Sequence, residues 1–262
     1  MPHYLKPVTL VGPQILYSYF AWMGKYGKHP EKYPIKKRYA KLSKLLRKLN
    51  KSFNALFNVF GLENLPKDEN YCFIVNHYSN YDPLALICVL DEPMAFVSKK
   101  EVEKFPFVGK CCKSIDCLFM DRNDLKQSLK VMMKVQDDLK AKNKNWAIFA
   151  EGTRNKDTMA ATREMHPGTF RPAVKSETII IPVAMYGAHR LLKRKPCFKK
   201  YPVTISFLKP IYPEEYKSLS TDELAKRVHN LVQKELTYKI RPLDHELMSK
   251  YNKKKYRFNA IV

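Results

Sequence analysis

From residue 70 onward, short apolar runs alternate with stretches of helical character, and this alternation restricts the possible folds more than any other feature of the chain. The runs are 71–75, 95–98, 117–120, 146–150, 179–185 and 203–207. Each is long enough for a core strand and too short for a stable helix. Helical patterns fill 83–90, 99–114 in broken form, 124–141 and 221–235, the last opened by Ser220 with Glu223 three residues on, a capping box. Strands joined through helices pair mainly in parallel, because parallel neighbours need long crossovers. The expectation is therefore an α/β fold: a single domain with a mostly parallel mixed central sheet flanked by helices. With 262 residues, 45% of them hydrophobic, the chain can bury such a core. No internal repeat is present.

The N-terminal part reads differently. Residues 8–22 are apolar and aromatic but interrupted by Gly12, Pro13 and Gln14. That is short of the roughly 20 apolar residues a membrane span needs. From Gly24 to Lys51 nearly every charged residue is basic. An apolar segment with a lysine-rich flank predicts contact with the cytoplasmic leaflet of an anionic membrane, monotopic or peripheral. Packing on the protein's own core is the alternative. Residues 38–60 carry an apolar helical period through Leu42, Leu46, Leu49, Phe53, Leu56 and Phe60, and are expected to form one helix. The organisation expected is a membrane-contacting segment over 1–35, the α/β domain over 36–238 and a basic, peripheral tail over 239–262.

A formal charge of +23 implies polyanionic partners. No helix-turn-helix, zinc-finger or RNP motif accompanies it, so nucleic acid is not the expected partner. The six cysteines include the adjacent pair Cys111-Cys112 but no repeated metal spacing, and reduced, buried thiols are expected, with no metal.

Three candidate motifs follow strand-like runs, where ligands of parallel sheets gather. His77 and Asp82 flank one strand-to-helix turn. A carboxylate on one ring nitrogen leaves the other free to take a proton, which makes a general base. Asp82 beside Pro83 also fits a plain helix start. Glu151-Gly152-Thr153-Arg154 is a glycine turn carrying a guanidinium suited to bidentate phosphate binding, with Glu151 available to orient it. Arg122 after 119–121 repeats the theme, and Lys99 and Lys100 are further possible phosphate contacts. A lone salt-bridged turn is the competing reading of the glycine motif. Ser79 raises a serine-hydrolase alternative, but it lies only two residues from His77, and no G-x-S-x-G elbow is present.

These residues resemble the lysophosphatidic acid and glycerol-3-phosphate acyltransferase family. The similarity spans about residues 70–190 in four ordered blocks: NHYSNYD (76–82), FMDR (119–122), FAEGTRN (149–155) and IPVAMYG (181–187). The glycine usual before the second block is here Asp116. In the third, Ala150 and Asn155 replace the common proline and serine. The resemblance implies an enzyme moving an acyl chain from a thioester, acyl-CoA or acyl-carrier protein, to the 2-hydroxyl of lysophosphatidic acid (1-acyl-glycerol 3-phosphate). It further implies that no other cofactor is needed, that His77 is the base oriented by Asp82, and that Glu151, Gly152, Thr153, Arg154 and Arg122 hold the phosphate, with Lys99 or Lys100 assisting. Acylation of glycerol 3-phosphate at its first hydroxyl is the alternative within the family; a basic membrane- or nucleic-acid-binding protein without catalysis is the alternative outside it.

Overall fold

A computed structural model describes residues 5–192 and 200–251. Cys197 and the lysine run 253–255 lie outside the described residues. Strands β1 (Ala55–Phe60), β2 (Tyr71–Val75), β3 (Met94–Lys99), β4 (Leu118–Met120), β5 (Asn145–Phe149), β6 (Ile179–Tyr186) and β7 (Tyr201–Phe207) form one sheet ordered β1-β7-β6-β2-β5-β3-β4. Every pairing is parallel except β6 with β7, so β1 and β7 run against the other five. Strands β2, β6 and β7 are buried along their full length, as their unbroken apolar sequences require.

The helices in chain order are α1 (Leu5–Ser18), α2 (Gly24–Lys28), α3 (Ile35–Ser52), α4 (Asp82–Val89), α5 (Pro106–Ser114), α6 (Leu125–Lys140), α7 (Arg171–Lys175), α8 (Pro213–Tyr216), α9 (Thr221–Glu235) and α10 (Arg241–Tyr251). Right-handed crossovers put α4 and α5 on one face of the sheet and α6 and α7 on the other. The N-terminal helices join the first layer, α1 and α4 packing on α3 and α2 on α5. Helix α9 starts at the expected residue, Ser220 accepting from the Glu223 amide and Glu223 reaching back to the Ser220 amide.

Three expectations change. The helix over 38–60 stops at Ser52, because Asn54 takes a left-handed conformation (φ 58) that turns the chain into β1. Strand β1 then pairs with β7 from Ala55↔Tyr201 to Phe60↔Ser206. Leu56, Phe57 and Phe60 fit the helical period, yet pairing with β7 offers backbone bonds that a longer helix would forgo. The segment after Arg241 is helix α10 rather than a peripheral chain. Its Asp244 is buried and accepts two bonds from the Arg190 guanidinium, at 2.8 and 2.5 Å. At the other terminus, helix runs through Pro13, Gly12 and Gln14, and a π turn over Tyr19–Met23 joins α1 to α2. One face buries Val11, Trp22, Met23 and Tyr26, while Leu10, Leu16, Tyr17 and Phe20 point outward. The segment thus packs on the core and keeps an apolar outer face. Among the described residues no helix is long and apolar enough to cross a membrane.

Asp116, standing where the resembled family carries glycine, adopts φ 58, a region that Asp tolerates better than most side chains. Its carboxylate grips Arg38 of α3 through two bonds of 2.6 and 2.7 Å. The substitution therefore preserves the turn and adds a tie from β4 to the N-terminal layer. The five described cysteines are free, four of them buried, and burial alone pushes the Cys72 thiol up to about 12.

Asp244→Ala is expected to lower unfolding free energy by about 3–5 kcal/mol, since it strands the buried Arg190 cation. Urea denaturation checks this; a loss under 1 kcal/mol would mean that α10 is not part of the cooperative unit.

Candidate active site

Because β6, β2, β5, β3 and β4 run in one direction, their carboxyl ends share one edge of the sheet. Every motif singled out above lies on that edge. His77 follows β2, Glu151–Arg154 follow β5, Lys99 and Lys100 end β3, Arg122 follows β4, and Gly187 follows β6. The ends of β2 and β5 are immediate neighbours, Val75 pairing with Phe149. Arg122 lies three strands from His77, about 14 Å away at the usual strand spacing.

The chain leaves β2 under tight backbone control. Asn76 is fully buried, donates to the Met185 carbonyl at 2.9 Å and accepts from the Met185 amide at 2.8 Å. That exchange locks the end of β2 to β6. Next, the His77 amide donates to Glu151 Oε1 at 3.0 Å, and the His77 carbonyl accepts from the Asn155 amide at 2.7 Å. The ring itself packs against Phe149, centroids 4.3 Å apart. Nδ1 lies 2.9 Å from Asp82 Oδ2, and the same oxygen accepts the amides of Tyr78 and Ser79, each at 2.8 Å. An acceptor already facing two N–H groups fixes the ring as the Nδ1–H tautomer, so Nε2 keeps its lone pair. Asp82 opens α4, where the helix N-terminus favours negative charge. The His77 side chain keeps 14% of its surface open to solvent, against 3% for that of Asp82.

Glu151 has a different task from the phosphate contact expected of it. It is 1% exposed, and its two oxygens accept backbone amides, His77 on one and Arg163 on the other at 3.3 Å. Burial pushes its carboxyl up to about 7, the two amide donors opposing the rise. Glu151 therefore supports the His77 loop from beneath, both of its oxygens facing main-chain amides. Gly152 sits at φ +66, and a Cβ there would come within 2.6 Å of the His166 ring. Glycine is needed on both counts. Thr153 and Arg154 emerge exposed, and neither Arg154 nor Arg122 makes a hydrogen bond or ion pair with a described residue. Lys99 and Lys100 are engaged, with Glu101 at 2.7 Å and Asp121 at 3.3 Å. Of the four cations expected at this edge, the two arginines are therefore the ones without a hydrogen-bonded partner among the described residues, and the lysines would have to exchange partners.

Ser79 is buried, and its hydroxyl oxygen accepts the Tyr81 amide at 3.0 Å. It has no bond to His77, so the edge holds no serine–histidine pair. Among the described residues no group of three His, Cys, Asp or Glu side chains is placed to hold a metal ion. The sequence reading passed over Asn76, Phe149 and Asn155 as individual contributors, although each adjoins a quoted motif residue. It also passed over Arg241, which donates to the Tyr78 hydroxyl at 3.2 Å and to the Ala160 carbonyl. No local pattern marks that contact, which spans more than 160 residues.

A family model described as Acyltransferase matches residues 56–186. The chain belongs to the acyltransferase family. Similar proteins include a probable 1-acyl-sn-glycerol-3-phosphate acyltransferase of Mycoplasma pneumoniae, 26% identical over 76% of this chain and 78% of that one. A 1-acyl-sn-glycerol-3-phosphate acyltransferase of Borreliella burgdorferi is 28% identical over 53% of this chain, which spans 55% of that protein's length. Among solved structures, the 1-acyl-sn-glycerophosphate (LPA) acyltransferase PlsC of Thermotoga maritima superposes with a TM-score of 0.67 at 23% identity, covering 89% of this chain and 91% of that one. That likeness establishes a shared fold. The matched region of this acyltransferase runs from β1 through β6 and so contains every candidate site residue.

Glu151 generates a pH prediction. Its folded-state value, about 7, lies above the ordinary 4.5, so between these values the folded chain binds more protons than the unfolded one. Stability from this group is present below about 4.5 and is lost as pH rises to about 7, by on the order of 3 kcal/mol. The difference in unfolding free energy between wild type and Glu151→Gln, measured across that range, should move against wild type as pH rises. A flat difference would remove the buried carboxyl as the cause.

Proposed function

We propose that this acyltransferase transfers a fatty acyl chain from a thioester donor, acyl-CoA or acyl-carrier protein, to the 2-hydroxyl of 1-acyl-glycerol 3-phosphate, forming phosphatidic acid. The observation that carries the reading is the Nδ1–Asp82 bond, which leaves a lone pair on Nε2 at the edge shared with two unpaired guanidinium groups. Names of the similar proteins point to the same acceptor.

In the proposed reaction Arg154 and Arg122 bind the acceptor's phosphate and bring its free hydroxyl to His77 Nε2. His77 takes the hydroxyl proton as the oxygen attacks the thioester carbonyl. Asp82 stabilises the imidazolium that forms, its oxygen already facing the Nδ1–H. Collapse of the tetrahedral intermediate breaks the carbon–sulfur bond, and the proton on Nε2 passes to the departing thiolate. Positioning and base catalysis supply the rate enhancement, and no protein nucleophile takes part. The lipid acceptor would be met at the cytoplasmic face of an anionic membrane. The exposed Leu16, Tyr17 and Phe20 of the N-terminal helix and the basic residues of α3 favour that location.

His77→Ala is expected to lower kcat by about 10²- to 10⁴-fold, the range of a general base, with the fold intact by circular dichroism. A loss below tenfold would remove His77 from the chemistry. Arg154→Ala should raise KM for lysophosphatidic acid about tenfold or more, the scale of one charge-assisted contact, with a smaller effect on KM for the donor. An unchanged acceptor KM would exclude Arg154 from the phosphate site. Running both assays with glycerol 3-phosphate as well separates the two acceptors, and preferential turnover of glycerol 3-phosphate would replace the proposed acceptor.

A further inference from the structure

Helix α6 presents an outer face unlike that of any other described helix in the sheet's second layer. Leu125, Leu129 and Met133 are 75%, 47% and 62% exposed. Their spacing of four residues makes one stripe along the helix, about 12 Å from first to last. Lys126, Lys130 and Lys134 form a second exposed stripe beside it, one position on at each turn. Lys134 is paired with Asp138, and Lys126 and Lys130 have no ion-pair partner among the described residues. The other face of α6 already buries its own Val131, Val135 and Leu139, so the stripe is not the face that packs on the sheet. The stripe also begins at the active edge. Arg122 follows β4, and Leu125 opens α6 three residues later.

The geometry points to this face as the docking surface for an acidic carrier protein that delivers the acyl thioester; the inference rests on the acyl-transfer reading above and names the partner for its donor. Lysines interleaved with apolar side chains complement an acidic helix that carries apolar residues of its own. Along the sheet edge, the start of α6 beside the end of β4 is three strand spacings, about 14 Å, from the end of β2 that carries His77. The lipid bilayer is the other occupant such a face could take. The topology disfavours it: α6 lies in the layer opposite α1 to α5, so the outward apolar residues of α1 and those of α6 belong to opposite sides of the sheet. One flat membrane does not cover both outer layers.

The test compares palmitoyl-carrier protein with palmitoyl-CoA as donors to lysophosphatidic acid, using the full chain. Variants are the charge reversal Lys126→Glu with Lys130→Glu and, separately, Leu129→Ser with Met133→Ser; all four side chains are exposed, so folding should survive. Both variants should raise KM for the carrier-bound donor about tenfold or more and leave KM for the CoA donor within about twofold, with added salt weakening the wild-type carrier interaction. Binding to phosphatidylglycerol vesicles should be unchanged. Equal effects on both donors, loss of vesicle binding without a donor-specific effect, or a wild type that accepts palmitoyl-CoA but not the carrier would each overturn the dock. A wild type that transfers from neither donor would overturn the acyl-transfer reading itself, and the dock with it.

Discussion

One carboxylate oxygen organises the candidate site. Asp82 Oδ2 takes the His77 ring and the amides of Tyr78 and Ser79, three donors within 2.9 Å. Those bonds close the turn between β2 and α4 and orient the ring in the same stroke. Remove the carboxylate, and two buried amides lose their acceptor while the imidazole loses its fixed tautomer. The turn is stable because burying an ionised group is offset by several donors and by the start of a helix. Local folding and proton-accepting geometry are therefore one constraint. A serine or asparagine here could accept an amide of the turn, yet neither supplies the charge that a protonated ring would need.

Glu151 is the second carboxylate, and its surroundings differ. It lies beneath the His77 amide with backbone donors only and no helix start, and burial raises its pKa while the nearby Asp82 charge adds to the rise. Two acids in contact with one residue thus hold different partners, the ring for Asp82 and main-chain amides alone for Glu151. Here the separation divides charge stabilisation at the ring from support of its main chain. Gly152 follows directly, and its left-handed turn lifts Thr153 and Arg154 out of the buried layer that Glu151 occupies. A single four-residue turn thereby joins a buried strut to an exposed cation.

Much of this was legible in the sequence because core strands leave continuous apolar runs, and six of seven strands, the half-buried β4 included, carried such a run. Strand β1 did not. It is half-buried at the sheet edge, its apolar residues also satisfy a helical period, and only its pairing with β7, nearly 150 residues away, decides the matter. Helix α10 was hidden by composition: a basic, polar segment reads as surface until Asp244 meets Arg190. In the site, the ring and its acid were readable from a five-residue spacing. The Glu151 contact was not, because a glutamate that binds amides and one that binds a substrate look the same in a sequence. Asn76 and Asn155 were likewise invisible as struts, since asparagine in a loop is ordinarily a turn former.

The topology also bears on how the two proposed reactants would meet. The helices before β2 join α4 and α5 in one layer, and that layer carries the outward apolar residues of α1. The return from β4 to β5 crosses the opposite face through α6, with its own exposed stripe. Both layers terminate at the edge where β2 and β5 end side by side. A lipid acceptor entering from one side and a thioester entering from the other would converge on Nε2 of His77, with the exposed Arg154 beside it and Arg122 toward α6. Strand β7 runs against β6, so β7 and β1 bring only their amino ends to this edge. In the proposed reaction, the loops that follow these parallel strand ends would admit both substrates to one base.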